Sequence, residues 1–175
     1  QAGLPQSFVI YDKDDRQSLG KEALRELDFD ERTLTPSTVV HRISHCKNQM
    51  LSPADVEQAA RTPREERLAS LYRLYEEKLQ AAGALDFDDL LLRVVRLLET
   101  VPEALRWYRT VWTHVLVDEY QDTNRAQYRI VQLLTEEHRN LCVVGDPDQS
   151  VYRWRGADLR NILDFEKDYP DCRVV

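Results

Sequence analysis

Two adjacent carboxylates, Asp118 and Glu119, end the short apolar run Val115, Leu116 and Val117. A carboxylate at a strand end can hold hydrated Mg²⁺, usually through the ion's own waters. A neighbour that points a different way can orient and deprotonate an attacking water. Together they offer metal-assisted transfer of a phosphoryl group to water. A bare acidic pair after an apolar run is more often a solvated turn, so the pair alone does not decide. Gln149 is a second candidate, because a neutral amide can donate to a phosphate oxygen and accept from a water. Taken alone, a loop glutamine reads as a surface residue. Just beyond it, Tyr152, Arg153, Trp154 and Arg155 alternate aromatic with basic. Aromatic faces stack on nucleic-acid bases without reading sequence, at ~1–3 kcal/mol per base, while arginines meet phosphates or stack. If extended, the segment puts Tyr152 and Trp154 on one side and the arginines on the other. The competing reading is an aromatic pair packed in a domain seam.

The elements that must position these residues are legible around them. The run at 115–117 is short, β-branched and ended by charge, which suits a buried parallel strand. Leu141, Cys142, Val143 and Val144 repeat the design and stop at Gly145 and Asp146. Between them Ile130, Val131, Leu133 and Leu134 form a helical apolar face, with Asp122, Thr123 or Asn124 able to cap its start. Strand, helix, strand in that order implies a crossover in an α/β sheet, whose ligands sit beyond the carboxyl ends of the strands. Both acidic turns fall at that edge. Gly156 then lets the chain turn into a helix beginning near Asp158.

The 175 residues are enough for one domain or two small ones with a real core. A charged fraction of 31% against 42% hydrophobic places the chain among soluble globular proteins. The net charge of −7 does not advertise nucleic-acid binding, but a local basic stripe suffices for it. Three widely spaced cysteines with no CxxC pair argue against zinc and against a disulfide framework. A reduced, cytoplasmic setting is expected. No apolar run approaches the ~20 residues of a membrane span, so no membrane association is expected.

The N-terminal two-thirds reads differently. Residues 1–20 are polar and turn-rich, with Phe8, Ile10 and Tyr11 as their apolar cluster. Thr35–Pro36 and Ser52–Pro53 each set a capping side chain before a proline at the first helical position. Thr62, Pro63 and Glu65 do the same and complete a capping box. The helix that follows carries Leu68, Leu71, Tyr72, Tyr75 and Leu79 at offsets of three and four and stops near Gly83. Asp86 caps the next helix, and Pro102 opens a short one through Trp107 and Tyr108. Residues from about 20 to 110 are therefore predicted to be all-helical, and the period turns strand-like near Trp112. The basic residues Lys13, Arg16, His41, Arg42, His45, Lys47, Arg61, Arg64 and Arg67 read as a solvated face, and the histidines match no ligand spacing.

DEYQDTNRAQY at 118–128 and VVGDPDQSVYRWRGAD at 143–158 closely resemble motifs II and III of UvrD/PcrA/Rep-type superfamily 1 DNA helicases. FVIYDKDD at 8–15, LDFDDLL at 85–91 and the tail from Asn161 to Val175 also resemble segments of the PcrA and UvrD type, in family order. The resemblance covers nearly the whole chain and implies an α/β fold. This would be a partial parallel sheet of the RecA-like P-loop NTPase kind, 111–175, with an all-helical inserted (1B-like) domain, 1–110. It implies an ATP-dependent 3′–5′ DNA helicase or translocase, acting in repair or replication, with ATP and Mg²⁺ as cofactors. By position, Asp118 holds the metal and, with Glu119, Gln149 and Arg155, the nucleotide. Glu119 and Gln149 serve catalysis, and Tyr152, Trp154 and Arg155 meet DNA. Implied partners are single-stranded DNA, single/double-strand junction DNA, the remaining helicase domains, and repair or transcription proteins. The helical domain would lie near the duplex junction with weak phosphate contacts. Asp86, Phe87, Asp88 and Asp89 match a family motif, and a structural cap explains them equally well.

The sequence departs from the family pattern in holding no GxxxxGK[ST] phosphate loop and none of the later arginine motifs. The expectation is therefore a piece of a helicase, inactive alone as an ATPase, with a sheet of about three strands. Two other readings compete: part of a helicase–nuclease subunit of the AddA or RecB kind, and a non-enzymatic DNA- or partner-binding module.

Overall fold

Short polar residues before proline start three of the N-terminal helices. Thr35, Ser52 and Thr62 each accept a backbone N–H from the first turn of α2 (Pro36–Asn48), α3 (Pro53–Ala59) and α4 (Pro63–Ala81). Proline at the first helical position costs nothing there, because its missing N–H would have no intrahelical partner. The computed structural model describes residues 7–30, 34–150 and 156–175. Tyr152, Arg153, Trp154 and Arg155 lie outside them. The described chain forms two compact units, Gln1–Arg93 and Val94–Val175. The division falls within one helix, some way before the change of period near Trp112.

In the first unit, the sequence expectation for residues 1–20 needs correcting. Helix α1 (Lys13–Glu26) already begins at Lys13, where Asp12 accepts the N–H groups of Asp14 and Asp15 and Asp15 returns a bond to the Asp12 N–H. Four charged residues in its first turn hid the apolar face, Leu19, Ala23 and Leu24, which appears one turn later. The unit is also not all-helical. Strands β1 (Val9–Ile10) and β2 (Ala84–Leu85) pair in parallel across about 75 residues. Two-residue strands carry no period for a sequence pattern to register. The core joins Leu19, Ala23 and Leu24 of α1, Val39, Ile43 and Cys46 of α2, and Leu71, Tyr72, Tyr75 and Leu79 of α4. Leu24, Ile43 and Leu71 are wholly buried, each contributing roughly 1.5–3 kcal/mol of transfer free energy.

Helix α5 (Phe87–Thr100) starts at a reciprocal cap. The Asp89 N–H donates to Asp86 Oδ1, and the Asp86 N–H donates to Asp89 Oδ2. The same carboxylates surround Lys47, whose Nζ lies 2.7 Å from Asp89, 3.0 Å from Asp86 and 2.6 Å from Glu76. Arg16 bonds Asp88 at 3.0 Å, and Ser44 and Asn48 donate to the same carboxylate. Lys47 and Arg16 therefore do not belong to a solvated face. The pattern of the sequence could not show that α1, α2 and α4 converge on the start of α5.

In the second unit the C-terminal part of α5 is followed by α6 (Pro102–Val111), whose Arg109 donates twice to the Leu133 carbonyl near the end of α7 (Arg125–Thr135). A guanidinium there satisfies a carbonyl with no helical partner and complements the helix dipole. Strand β3 (Val115–Val117) pairs in parallel with β4 (Leu141–Val143), Leu116 standing opposite Cys142. Helix α7 connects them, with Asn124 as its cap and Gln127 closing the box. Among the described residues this sheet has two strands, not three. Nor are its strands buried on both faces: Val115 and Val117 are half-buried, whereas Leu116 is 77% exposed. Successive strand side chains point to opposite faces, and one face of the pair is open. Two short helices, α8 (Arg160–Leu163) and α9 (Phe165–Asp168), complete the unit.

Candidate functional site

Strand β3 delivers Asp118 and Glu119 beyond its carboxyl end, and there the backbone bends sharply. Glu119 adopts φ 50°, ψ 42°, the left-handed region that an L-residue with a Cβ enters at a cost of about 1–2 kcal/mol. Several bonds hold the bend. The Tyr120 N–H donates to the Val144 carbonyl at 2.9 Å, and the Asp122 N–H closes a single 3-10 turn onto the Glu119 carbonyl at 2.9 Å. The Glu119 N–H donates to Asp118 Oδ1 at 2.9 Å. Thr123 Oγ1 donates to the Tyr120 carbonyl, and Asn161 Nδ2 reaches from α8 to Thr123. The Tyr120 ring is buried edge-on against Phe165, which stacks on Tyr169. Burial pushes the Tyr120 phenol well above its ordinary range. Aromatic packing thus clamps the turn from beneath, and the two carboxylates stand exposed above it.

A hollow of about 420 Å³ opens beside them, lined by Asp118, Glu119, Asp122, Gln127 and Ile130 among others. Asp122 Oδ1 is buried and has no hydrogen-bond partner among the described residues. Magnesium is held by one or two carboxylates plus substrate phosphates and water rather than by a complete protein cage. Asp118, with one oxygen fixed by the Glu119 amide and the side chain open to solvent, fits that requirement. Among the described residues no three metal-ligating side chains cluster.

The second acidic turn sits at the end of β4. Asp146 accepts the Asp148 N–H at Oδ1 and the Gln149 amide, Nε2, at Oδ2, 2.7 Å away. Gln149 is exposed in a 3-10 turn, Pro147–Gln149. From the sequence, Gln121 stands evenly between ordering the turn after Asp118 and Glu119 and serving the site directly. The structure buries it completely, with Nε2 donating to Glu119 Oε2 at 2.6 Å and Oε1 accepting the Asp146 N–H at 3.1 Å. Three bonds therefore join Glu119 to Gln149 by way of Gln121 and Asp146. Gly145 lacks a side chain for a reason of space: a Cβ there would run into Gln121 Oε1 and come within 2.8 Å of Ile162 Cδ1. No period or spacing reveals that bridge, because it joins positions 25 residues apart. Tyr152, Trp154 and Arg155, expected at DNA and nucleotide, are among the residues outside the description.

The second unit thus holds a parallel strand–helix–strand arrangement of the α/β class with carboxylates at its strand ends. The model of the UvrD/REP helicase N-terminal domain family matches residues 1–170. The ATP-dependent DNA helicase PcrA of Staphylococcus aureus is 43% identical over 173 residues, covering 99% of this chain and 24% of its own length. The PcrA of Staphylococcus epidermidis is 42% identical with the same coverage. The chain belongs to the UvrD/REP helicase N-terminal domain family. It spans about a quarter of the length of these relatives.

Proposed function

We propose that these residues form part of an ATP-dependent DNA helicase, supplying carboxylates of its nucleotide site and a surface for single-stranded DNA. The observation that carries the reading is the Glu119 carboxylate, fixed at the end of β3 beside Asp118 by the Gln121 amide. Asp118 would hold Mg²⁺, which when bound neutralises charge on the phosphates. Glu119 orients a water and takes its proton as the water oxygen bonds to the γ-phosphorus. The bond to the β–γ bridging oxygen breaks, and ADP leaves with that electron pair. Gln149 senses the γ-phosphate, with Arg155 beside it, and Tyr152 and Trp154 stack on bases. Residues 111–175 then belong to a RecA-like sheet and residues 1–110 to a 1B-like insertion. Translocation runs 3′ to 5′, in repair or replication. Partners are the remaining helicase domains, junction DNA, and repair or transcription proteins.

The 175 residues contain no GxxxxGK[ST] loop, so the test uses a longer protein carrying both. There, Glu119→Gln is expected to lower the DNA-stimulated kcat for ATP hydrolysis about 10²–10⁴-fold while ATP still binds. Hydrolysis at the unmutated rate would remove Glu119 as the base.

A further inference from the structure

From the geometry around the β3 and β4 ends, we infer that Gln121 is a positioning residue: its amide fixes the Glu119 carboxylate and ties that orientation to the Asp146–Gln149 turn. The inference rests on the reading of Glu119 as the base. Both ends of the amide are committed, and their partners leave it one orientation. A carboxylate can only accept, so Nε2 faces Glu119; a backbone N–H can only donate, so Oε1 faces Asp146. The side chain is wholly buried, so bulk water does not compete for either bond. Position 145 is shaped around it, since any Cβ there collides with Oε1. The left-handed Glu119 backbone leaves the carboxylate side chain above the turn, and the 2.6 Å bond from Gln121 sets its direction.

The second tie gives the arrangement its consequence. The Asp146 whose N–H holds Gln121 is also the residue whose carboxylate takes the Gln149 amide. When Gln149 turns to another partner, Asp146 is freed to shift, and the shift passes through Gln121 to Glu119. A displacement on the order of 1 Å in a reacting group can cost about 100-fold in rate. Gln121 itself contacts no reacting atom. Its effect on hydrolysis passes entirely through Glu119.

The test uses the full-length protein that carries these residues, with steady-state and single-turnover ATP hydrolysis on single-stranded DNA. Gln121→Met keeps length and neutrality but removes both bonds. Gln121→Glu keeps the acceptor for the Asp146 N–H and loses the donor to Glu119. Both are expected to lower kcat about 10- to 100-fold, with KM for ATP changed less than about twofold. In a Glu119→Gln background, Gln121→Met should cost nothing further, because residues acting as a unit are not additive. Three results overturn the inference: wild-type kcat in a folded Gln121 variant, KM rising in step with the fall in kcat, or full additivity with Glu119→Gln. An active Glu119→Gln protein would instead sink the base assignment, which keeps the two failures distinct. Thermal melts identify the folded variants. Should the buried charge of Gln121→Glu prevent folding, the neutral Gln121→Met and its cycle with Glu119→Gln decide alone.

Discussion

Lys47 combines a wholly buried side chain with three carboxylates within 3.0 Å. Burial works against its charge, but Asp86, Glu76 and Asp89 outweigh it and hold the ammonium protonated well above its usual range. The two buried aspartates, Asp86 and Asp89, share the Lys47 ammonium. Burial opposes charge on both. Asp86, beside Lys47 and also near Arg16, is held below the usual carboxylate range, whereas Asp89 is pushed up to about 6. A carboxyl whose folded value is raised contributes stability below its unfolded value of 3.8 and loses it as pH climbs through about 6. Relative to Asp89→Asn, the natural chain should therefore lose on the order of 2–3 kcal/mol between about pH 4 and pH 6. Urea unfolding at a series of pH values reads this directly, and a pH-independent difference would count against it. Lys47→Met strands the carboxylates and should cost about 3–5 kcal/mol near neutral pH.

At the scale of elements, capping chemistry made the helices legible and pairing across long separations did not. Thr35, Ser52 and Thr62 before proline marked three starts that the structure places at Pro36, Pro53 and Pro63. Asp12 carried the same signal for α1, masked by the charged residues after it. Strands β1 and β2 are defined by each other rather than by local pattern, so no window of sequence contains them. The acidic strand ends were legible because charge after a β-branched run is local. The Gln121 bridge was not, because it depends on the parallel register that brings Val117 opposite Val143. Helix α7 tests the capping argument. Asn124 accepts the Gln127 N–H at 2.9 Å, and Gln127 returns a bond at 2.9 Å. Asn124→Ala should cost about 1 kcal/mol, with Asn124→Ser restoring most of it. Equal losses for the two in chemical denaturation would place Asn124's contribution elsewhere.

For the whole molecule, the two units differ in how much they bury. The first gathers α1, α2, α3 and α4 into one apolar cluster capped by the Lys47 network. The second buries Tyr120, Leu133, Leu134 and Tyr169 but leaves Leu116, Val144, Trp107 and Val111 more than half exposed. Local opening free energies follow buried apolar contact, so the units should not open together. Hydrogen exchange on the 175-residue chain should find the amides around Leu71 and Tyr75 in α4 slowest. Those of α7 and of the β3–β4 pair should exchange at least 10-fold faster, a difference of about 1.4 kcal/mol. Lys47→Met should then accelerate α1, α2 and α4 while leaving α7 at its original rate. Parallel acceleration in α7 would mean that the chain opens as one cooperative body. Independent rates would mean that the fold around Glu119 is held by its own clamp of Tyr120, Phe165 and Asn161, and that the N-terminal core does not set its stability.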